Sequence, residues 1–170
     1  PGADEGATTY SYPDPKWHFG VSSMGLQGPD PVARNLTFTS DPLPKDVTIA
    51  GPIVAELYVS STNTDTEVFV KVTDQYPQLD EDRAKGLQPQ WMIAAKGWLR
   101  ASHREKDEAR TSELRPFYTH TNPQPINPGE VYKLDIEVWP CAHCFQQGHR
   151  IRVDISIGDS MITDTLFTHQ

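Results

Sequence analysis

The amino-acid sequence predicts an all-β fold, an antiparallel sandwich in which two sheets pack face to face. Hydrophobic and polar residues alternate with a period of two in six separate segments, and nearly every segment has one apolar and one polar face. Such alternation is typical of antiparallel strands that are half buried in a sandwich or barrel. Turn-forming residues separate the segments, as at Asn127-Pro128-Gly129-Glu130, which supports the same prediction.

Around seven or eight strands are expected along the chain, and the alternation places six of them. They lie at 36–40, 53–59, 68–72, 91–101, 132–138 and 151–157. Because the side-chain period is two, the apolar residues of each strand are expected to share the buried face. We expect the core to contain Leu57, Val70, Leu134, Ile136, Ile151, Val153 and Ile155. The charged stretches 80–87 and 105–110 are expected to be loop tips with at most a short helical turn.

The chain divides into two parts. Residues 1–34 lack periodicity and are rich in proline and glycine, which predicts an extended lead-in. Residues 35–170 form the predicted β-sandwich domain. The lead-in carries four aromatic residues that are expected to dock, either on the sheet of this domain or on a partner domain. These residues are Tyr10, Tyr12, Trp17 and Phe19.

Bulk properties exclude several function classes. A length of 170 residues fits one domain, and a domain of this size can bury a core without the support of disulfides or metal ions. The net charge of −8 and the lack of a basic cluster argue against a nucleic-acid partner. No apolar run is long enough to span a bilayer, so no membrane partner is expected either. No phosphate loop, zinc-binding helix or calcium loop is present, and we expect no cofactor and no metal.

The two cysteines, Cys141 and Cys144, form a C-x-x-C pair. A redox role requires a thioredoxin-like βαβ setting, and a zinc site requires a second pair of ligands. Neither is found in the sequence. We therefore expect two ordinary thiols or, at most, an incidental local disulfide.

One serine is a candidate nucleophile. Gly158-Asp159-Ser160-Met161 follows a β-branched strand and resembles the opening block of GDSL-type esterases. That family needs the motif near the start of an α/β domain, with an Asp-x-x-His pair far downstream. Only ten residues follow Ser160, and Asp164 and His169 have the wrong spacing. A Gly-x-Ser-x-Gly elbow is also absent, so the sequence predicts no catalytic residue, and a small esterase that uses Ser160 remains an alternative.

A carbohydrate site is the second alternative. Sandwich domains often bind sugars on surface aromatics, although a tryptophan in an all-β domain more often belongs to the core. The candidates are Trp17, Trp91, Trp98 and Trp139.

Several segments, taken in order, resemble one known family. They lie at 36–43, 49–52, 57–62, 65–74, 97–102, 128–132, 142–145 and 148–156. Together they resemble the C-terminal domain of the Xaa-Pro dipeptidyl-peptidase and cocaine esterase/glutaryl acylase (CocE/NonD) hydrolases, from about Tyr10 to the end. The most specific piece is Gly148-His149-Arg150-Ile151-Arg152. Two departures are the cysteines on either side of His143 and the lack of a further strand after His169.

The resemblance implies a jelly roll of the galactose-binding-like type that is not itself catalytic. It also implies a separate α/β-hydrolase domain, which would carry the Ser-His-Asp triad of a peptidase, esterase or acylase. The jelly roll would scaffold that domain and help to wall its active site. Residues proposed to contact it are Tyr10, Tyr12, Trp17, Phe19 and Trp91.

The resemblance also bears on self-association. A jelly roll without its catalytic domain is expected to expose an apolar patch and an open strand edge. A two-fold homodimer is one expected outcome. The other is a monomer in which the lead-in folds back over the gap.

Overall fold

A computed structural model describes residues 6–9, 35–87 and 89–156, and within them six strands and one short helix. The strands are β1 (Asn35–Thr39), β2 (Val47–Val59), β3 (Glu67–Gln75), β4 (Trp91–Arg100), β5 (Tyr132–Phe145) and β6 (Arg150–Ser156). The helix, α1 (Asp80–Ala84), is one charged turn in the β3–β4 connection, as the sequence predicts. Among these residues no helix has the length and apolar character needed to cross a bilayer.

The six strands form one antiparallel sheet with the order β1-β6-β3-β4-β5-β2. The sheet has two wings. The first wing contains β1, β6, β3 and β4, and the second contains β5 and β2. In the part of the chain that the structure describes, a single residue pair, Gly97 and Val138, joins the wings through β4 and β5. The described sheet is therefore nearly divided into two layers.

Side chains from both wings share one hydrophobic core. Val68, Val70 and Val72 of β3 lie in the same cluster as Leu134 and Ile136 of β5. The all-β antiparallel prediction is confirmed, and the jelly-roll connectivity and the boundary at residue 35 remain predictions. Val70, Leu134 and Ile136 are fully buried. The other expected core residues are partly buried and pack against the cluster, namely Leu57, Ile151, Val153 and Ile155.

Strands β2 and β5 extend further than the sequence predicts. Their pairing continues from Val59 and Tyr132 to Val47 and Phe145, with a register shift between Gly51 and Ile53. Pro52 and Pro140 both fall at this irregularity, because a proline has no N–H for a ladder bond and is tolerated at bulges. Gly51 has φ 130° there, a conformation that glycine adopts readily.

Strand β6 departs from the expected pattern of one apolar and one polar face. Its polar residues Asp154 and Ser156 are buried. The Asp154 carboxylate accepts hydrogen bonds from Arg152 Nε at 2.9 Å and from Thr37 Oγ1 at 2.6 Å. These bonds compensate for the loss of water around a buried charge.

Candidate functional site

A buried carboxylate with two imidazoles, here called the Asp–His cluster, joins side chains of the two wings away from the Gly97–Val138 pair. Asp74 on β3 is 3% exposed. Its Oδ2 lies 3.0 Å from Nε2 of His143 on β5. Its Oδ1 lies 2.8 Å from Nδ1 of His149, in the turn before β6. The cluster therefore ties β3 of the first wing to β5 of the second.

The carboxylate fixes the orientation of both rings. An ionised carboxylate only accepts hydrogen bonds, so His143 must carry a proton on Nε2 and His149 a proton on Nδ1. The same Asp–His pairing orients the base of a serine hydrolase, but that chemistry also needs a nucleophile hydrogen-bonded to the imidazole. In the described ranges no hydroxyl or thiol is bonded to either ring. The cluster is therefore not a catalytic triad within these residues.

A cavity of about 450 Å³ opens beside the Asp–His cluster. Tyr76, Met92 and Cys144 help to line it, and the Tyr76 ring lies 5.0 Å from that of His149, centroid to centroid. Over residues 35–87 and 89–156, no group of three or more His, Cys, Asp or Glu side chains is arranged to hold a metal ion. The cavity wall is therefore mixed, with the polar groups of the Asp–His cluster beside the apolar surfaces of Tyr76 and Met92.

The two thiols are free, as expected for ordinary cysteines. Cys141 packs against the hydrophobic core, whereas Cys144 is exposed and lines the cavity. Three residue steps along an extended strand separate the two Cα atoms by roughly 10 Å. This exceeds the span that a disulfide can bridge without backbone movement.

An exposed aromatic surface, here called the tryptophan face, lies on the outer side of the crossing between the wings. Trp98 of β4 and Trp139 of β5 each directly follow a residue of the Gly97–Val138 pair. Their ring centroids are 5.7 Å apart, yet the residues are 47% and 62% exposed. Phe69 of β3 stacks on Trp98 at 6.2 Å. The structure thus brings together two of the four tryptophans named as sugar-site candidates.

The other predicted site residues have different placements. Trp91 is half-buried on β4, with the Arg152 guanidinium 5.8 Å from its ring centroid. The remaining residues lie outside the described part of the chain. They are the lead-in aromatics Tyr10, Tyr12, Trp17 and Phe19, together with Ser160, Asp164 and His169.

A segment spanning residues 104–119 covers the outer side of β5 through charged contacts. Lys106 pairs with Asp135, and Arg115 Nε lies 3.2 Å from Glu137 Oε1. Burial alone would raise the pKa of Asp135, but the ammonium groups of Lys106 and Lys133 outweigh it and hold the pKa below its usual value. The Tyr118 hydroxyl donates to the Asp135 carbonyl, and burial raises the pKa of Tyr118.

Neither the Asp–His cluster nor the pairing of Trp98 with Trp139 is predicted from the sequence. The available sequence signal for the Asp–His cluster was the position of His149, which lies in the segment with the most specific family resemblance. Asp74 is 69 residues from His143 and 75 from His149 in the chain. No local spacing could join such distant residues.

Comparison with known proteins defines the class of this chain. Residues 8–165 match the sequence profile of the X-Pro dipeptidyl-peptidase C-terminal non-catalytic domain. The chain belongs to this family, and the predicted family assignment is confirmed. It is a non-catalytic C-terminal domain of the CocE/NonD type of serine hydrolase.

Two curated relatives illustrate the relationship. A putative serine esterase of Mycobacterium bovis is 30% identical over 152 residues, which is 82% of this chain and 22% of the relative. The cocaine esterase of a Rhodococcus species is 30% identical over 121 residues, 71% of this chain and 17% of the relative. The chain therefore spans about a fifth of the length of these proteins.

Solved structures share the fold. A CocE/NonD family hydrolase from Staphylococcus aureus aligns with a TM-score of 0.63 and 23% identity, covering 74% of this chain and 23% of the other. An aminopeptidase from a Thaumarchaeota archaeon aligns with a TM-score of 0.58 and 24% identity, covering 74% and 18%. At these identities the likeness supports the β fold alone.

Proposed function

We propose that the tryptophan face docks this domain onto an α/β-hydrolase catalytic domain, which it scaffolds and whose active-site entrance it helps to wall. The observation that carries the proposal is the Trp98–Trp139 pair, which is in ring contact yet about half exposed. Tryptophan is enriched among the residues that dominate binding at protein interfaces. Two adjacent indoles therefore suit a surface that a second domain covers.

The position of the tryptophan face fits a docking role. It lies at the Gly97–Val138 crossing, where the two wings meet, so a domain that covers it would hold both wings. Phe69, the cross-strand partner of Trp98 on β3, is 7% exposed and its ring stacks against the indole. A rigidly supported aromatic side chain loses little conformational entropy on binding. The face is thus preorganised for contact.

The reaction we propose for the whole protein is ester hydrolysis. The relatives that match this chain include putative serine esterases and a cocaine esterase. Nucleophilic catalysis needs a nucleophile with a hydrogen-bonded base, and residues 35–87 and 89–156 supply none in the Asp–His cluster. The nucleophile, its base and the oxyanion donors are therefore assigned to the partner domain.

The docking proposal can be tested in the full-length protein that contains this chain. Trp98→Ala and Trp139→Ala should separate the unfolding of the two domains into two transitions and lower kcat/KM for an activated ester. Tyr58→Ala is the matched control, because Tyr58 is also 47% exposed but lies on β2, away from the crossing. If the tryptophan variants behave like the Tyr58 control, the tryptophan face is not the docking surface.

A sugar-binding role is the second candidate, and the same Trp98–Trp139 pair favours it because stacked indoles also suit a pyranose face. The two roles separate on the isolated chain. Titration with a panel of neutral oligosaccharides should show no saturable binding if the face serves a domain contact. Saturable binding that Trp139→Ala abolishes would favour the sugar-binding module.

We also propose that the lead-in docks rather than remaining free, with Tyr10, Tyr12, Trp17 and Phe19 divided between the sheet and the catalytic domain. Their size supports this, since four aromatic side chains are costly to leave in water together. Trp91 is proposed to lie at the same interdomain contact. Amide hydrogen exchange over residues 8–20 tests the docking. Exchange as fast as in an unfolded peptide would contradict it.

A homodimer of the isolated chain remains a proposal. The described sheet ends at β1 on one side and at the 13-residue β2 on the other. A long edge strand can template pairing with a second chain. Sedimentation at micromolar concentration distinguishes a dimer from a monomer.

A further inference from the structure

A second pair of histidines lies apart from the Asp–His cluster, on the loop side of the domain. His103 ends the short 3₁₀ turn Ala101–His103, and His120 lies 17 residues later. Their Nδ1 atoms are 3.1 Å apart and their ring planes are inclined by 42°. Two imidazole nitrogens at this separation share one hydrogen bond or one metal ion.

The backbone holds the two histidines in place. The segments before His120 and after His103 pair as a short antiparallel ladder, with a bridge between Lys106 and Tyr118. Thr119 N donates to the Glu105 carbonyl at 3.1 Å, next to both histidines. The imidazoles are therefore brought together by the fold, and not only by their own contact.

His120 has an unusual conformation. Its φ is 54°, and among the described residues it is the non-glycine residue with a positive φ. A positive φ is uncommon for a non-glycine residue, although histidine adopts this left-handed region more often than most, and the conformation persists where the surroundings support it. Strained residues of this kind cluster at ligand-holding sites. The strain and the Nδ1 contact are two separate observations at one place.

We propose that His103 and His120 form a two-histidine chelate for a divalent transition-metal ion such as Zn²⁺ or Ni²⁺. With metal–nitrogen bonds of about 2.0–2.1 Å, two nitrogens 3.1 Å apart subtend roughly 100° at the metal, which a tetrahedral or square-planar ion accommodates. The described residues offer no set of three or more protein ligands, so within this part of the chain water would fill the other positions.

The proton placement follows from the chelate. Each Nδ1 must present a lone pair to the metal, so each imidazole carries its proton on Nε2. In the metal-free pair, one Nδ1 carries a proton and donates it to the other. Metal binding therefore requires that proton to move from Nδ1 to Nε2 of the same ring. Two neutral rings release no proton in this change.

The local charges favour a cation at the pair. The Glu105 carboxylate lies in the same ladder, where it accepts a hydrogen bond from Thr119 Oγ1 at 3.0 Å. The nearby Arg104 guanidinium is turned toward the carbonyls of Ala101 and Gln124 and the ring of Tyr132. The chain as a whole has a net charge of −8, which attracts cations.

The test is calorimetric titration of the chain, prepared without a histidine tag, with zinc chloride and nickel chloride. One equivalent should bind. His103→Asn and His120→Asn should each weaken binding by about ten-fold or more, as loss of a metal ligand does at least as much as loss of its supporting partners. Asparagine tolerates the left-handed backbone, so His120→Asn should stay folded. Circular dichroism shows whether His120→Asn is folded. If it is not, the metal affinity of His103→Asn alone tests the proposal.

The matched control is the double variant Cys141→Ser and Cys144→Ser, which removes both thiols of the described region. Its metal affinity should equal that of the unaltered chain. Nitrogen NMR of the imidazoles should show Nδ1 of both rings shifting when zinc is added. Absence of binding, binding that the histidine variants retain, or binding that the cysteine variant loses would each overturn the proposal.

Discussion

Replacing Gly97 with alanine should disrupt the one strand pair that joins the two wings among the described residues. Gly97 on β4 faces Val138 on β5 at the closest approach of the sheet layers. A Cβ atom at Gly97 would lie 2.7 Å from the Val138 Cα and would overlap the Glu137 carbonyl oxygen. Both obstacles are backbone atoms, which cannot turn aside as a flexible side chain would. The added methyl must therefore push the strands apart.

The cost of this change follows from the nature of the clash. Overpacking a filled site typically costs 1–3 kcal/mol, and a backbone obstacle places Gly97→Ala at about 3 kcal/mol or more. Urea unfolding followed by circular dichroism measures the free energy of unfolding. Gly6→Ala is the control, since nothing lies within 4 Å of a Cβ built there. A stability loss below about 1 kcal/mol for Gly97→Ala would refute the close crossing.

Four further predictions concern the core, the charged contacts and activity. Asp74→Asn leaves one imidazole N–H without an acceptor and should cost about 1–3 kcal/mol in urea unfolding. Ile136→Ala empties a fully buried position and should cost about 2–5 kcal/mol by the same measurement. The depressed pKa of Asp135 stabilises the fold above the unfolded-state value of about 3.9, and this contribution is lost as the pH falls through the folded value. Lys106→Met should therefore lower stability at pH 7 and flatten its decline below pH 4, which acid titration at fixed urea records. The isolated chain should not hydrolyse an activated ester, and turnover that Ser160→Ala abolishes would support the small esterase instead.

The faces of the strands could be predicted from the sequence because each is a local property. Alternation along β5 was enough to place Leu134 and Ile136 in the core, where both are fully buried. The same rule failed to show that Asp154 on β6 is buried. A bond that compensates for this burial comes from Thr37, 117 residues away, and no local pattern indicates it.

The extent of β2 and β5 and the candidate sites could not be predicted, because they depend on pairing between distant strands. Pro140 predicts a break in β5 when it is considered alone. It is tolerated because the partner strand bulges at the same level, between Gly51 and Ile53. The contact between Trp98 and Trp139 likewise follows from the register of β4 on β5, which no local pattern defines.

The proposal that this domain serves a larger serine hydrolase is tested most directly by the transcript that encodes it. Sequencing the message upstream of the Pro1 codon should show an uninterrupted reading frame that encodes an α/β-hydrolase domain with a Gly-x-Ser-x-Gly elbow. A start codon directly before Pro1, preceded by an in-frame stop, would contradict the proposal and favour a free-standing binding module.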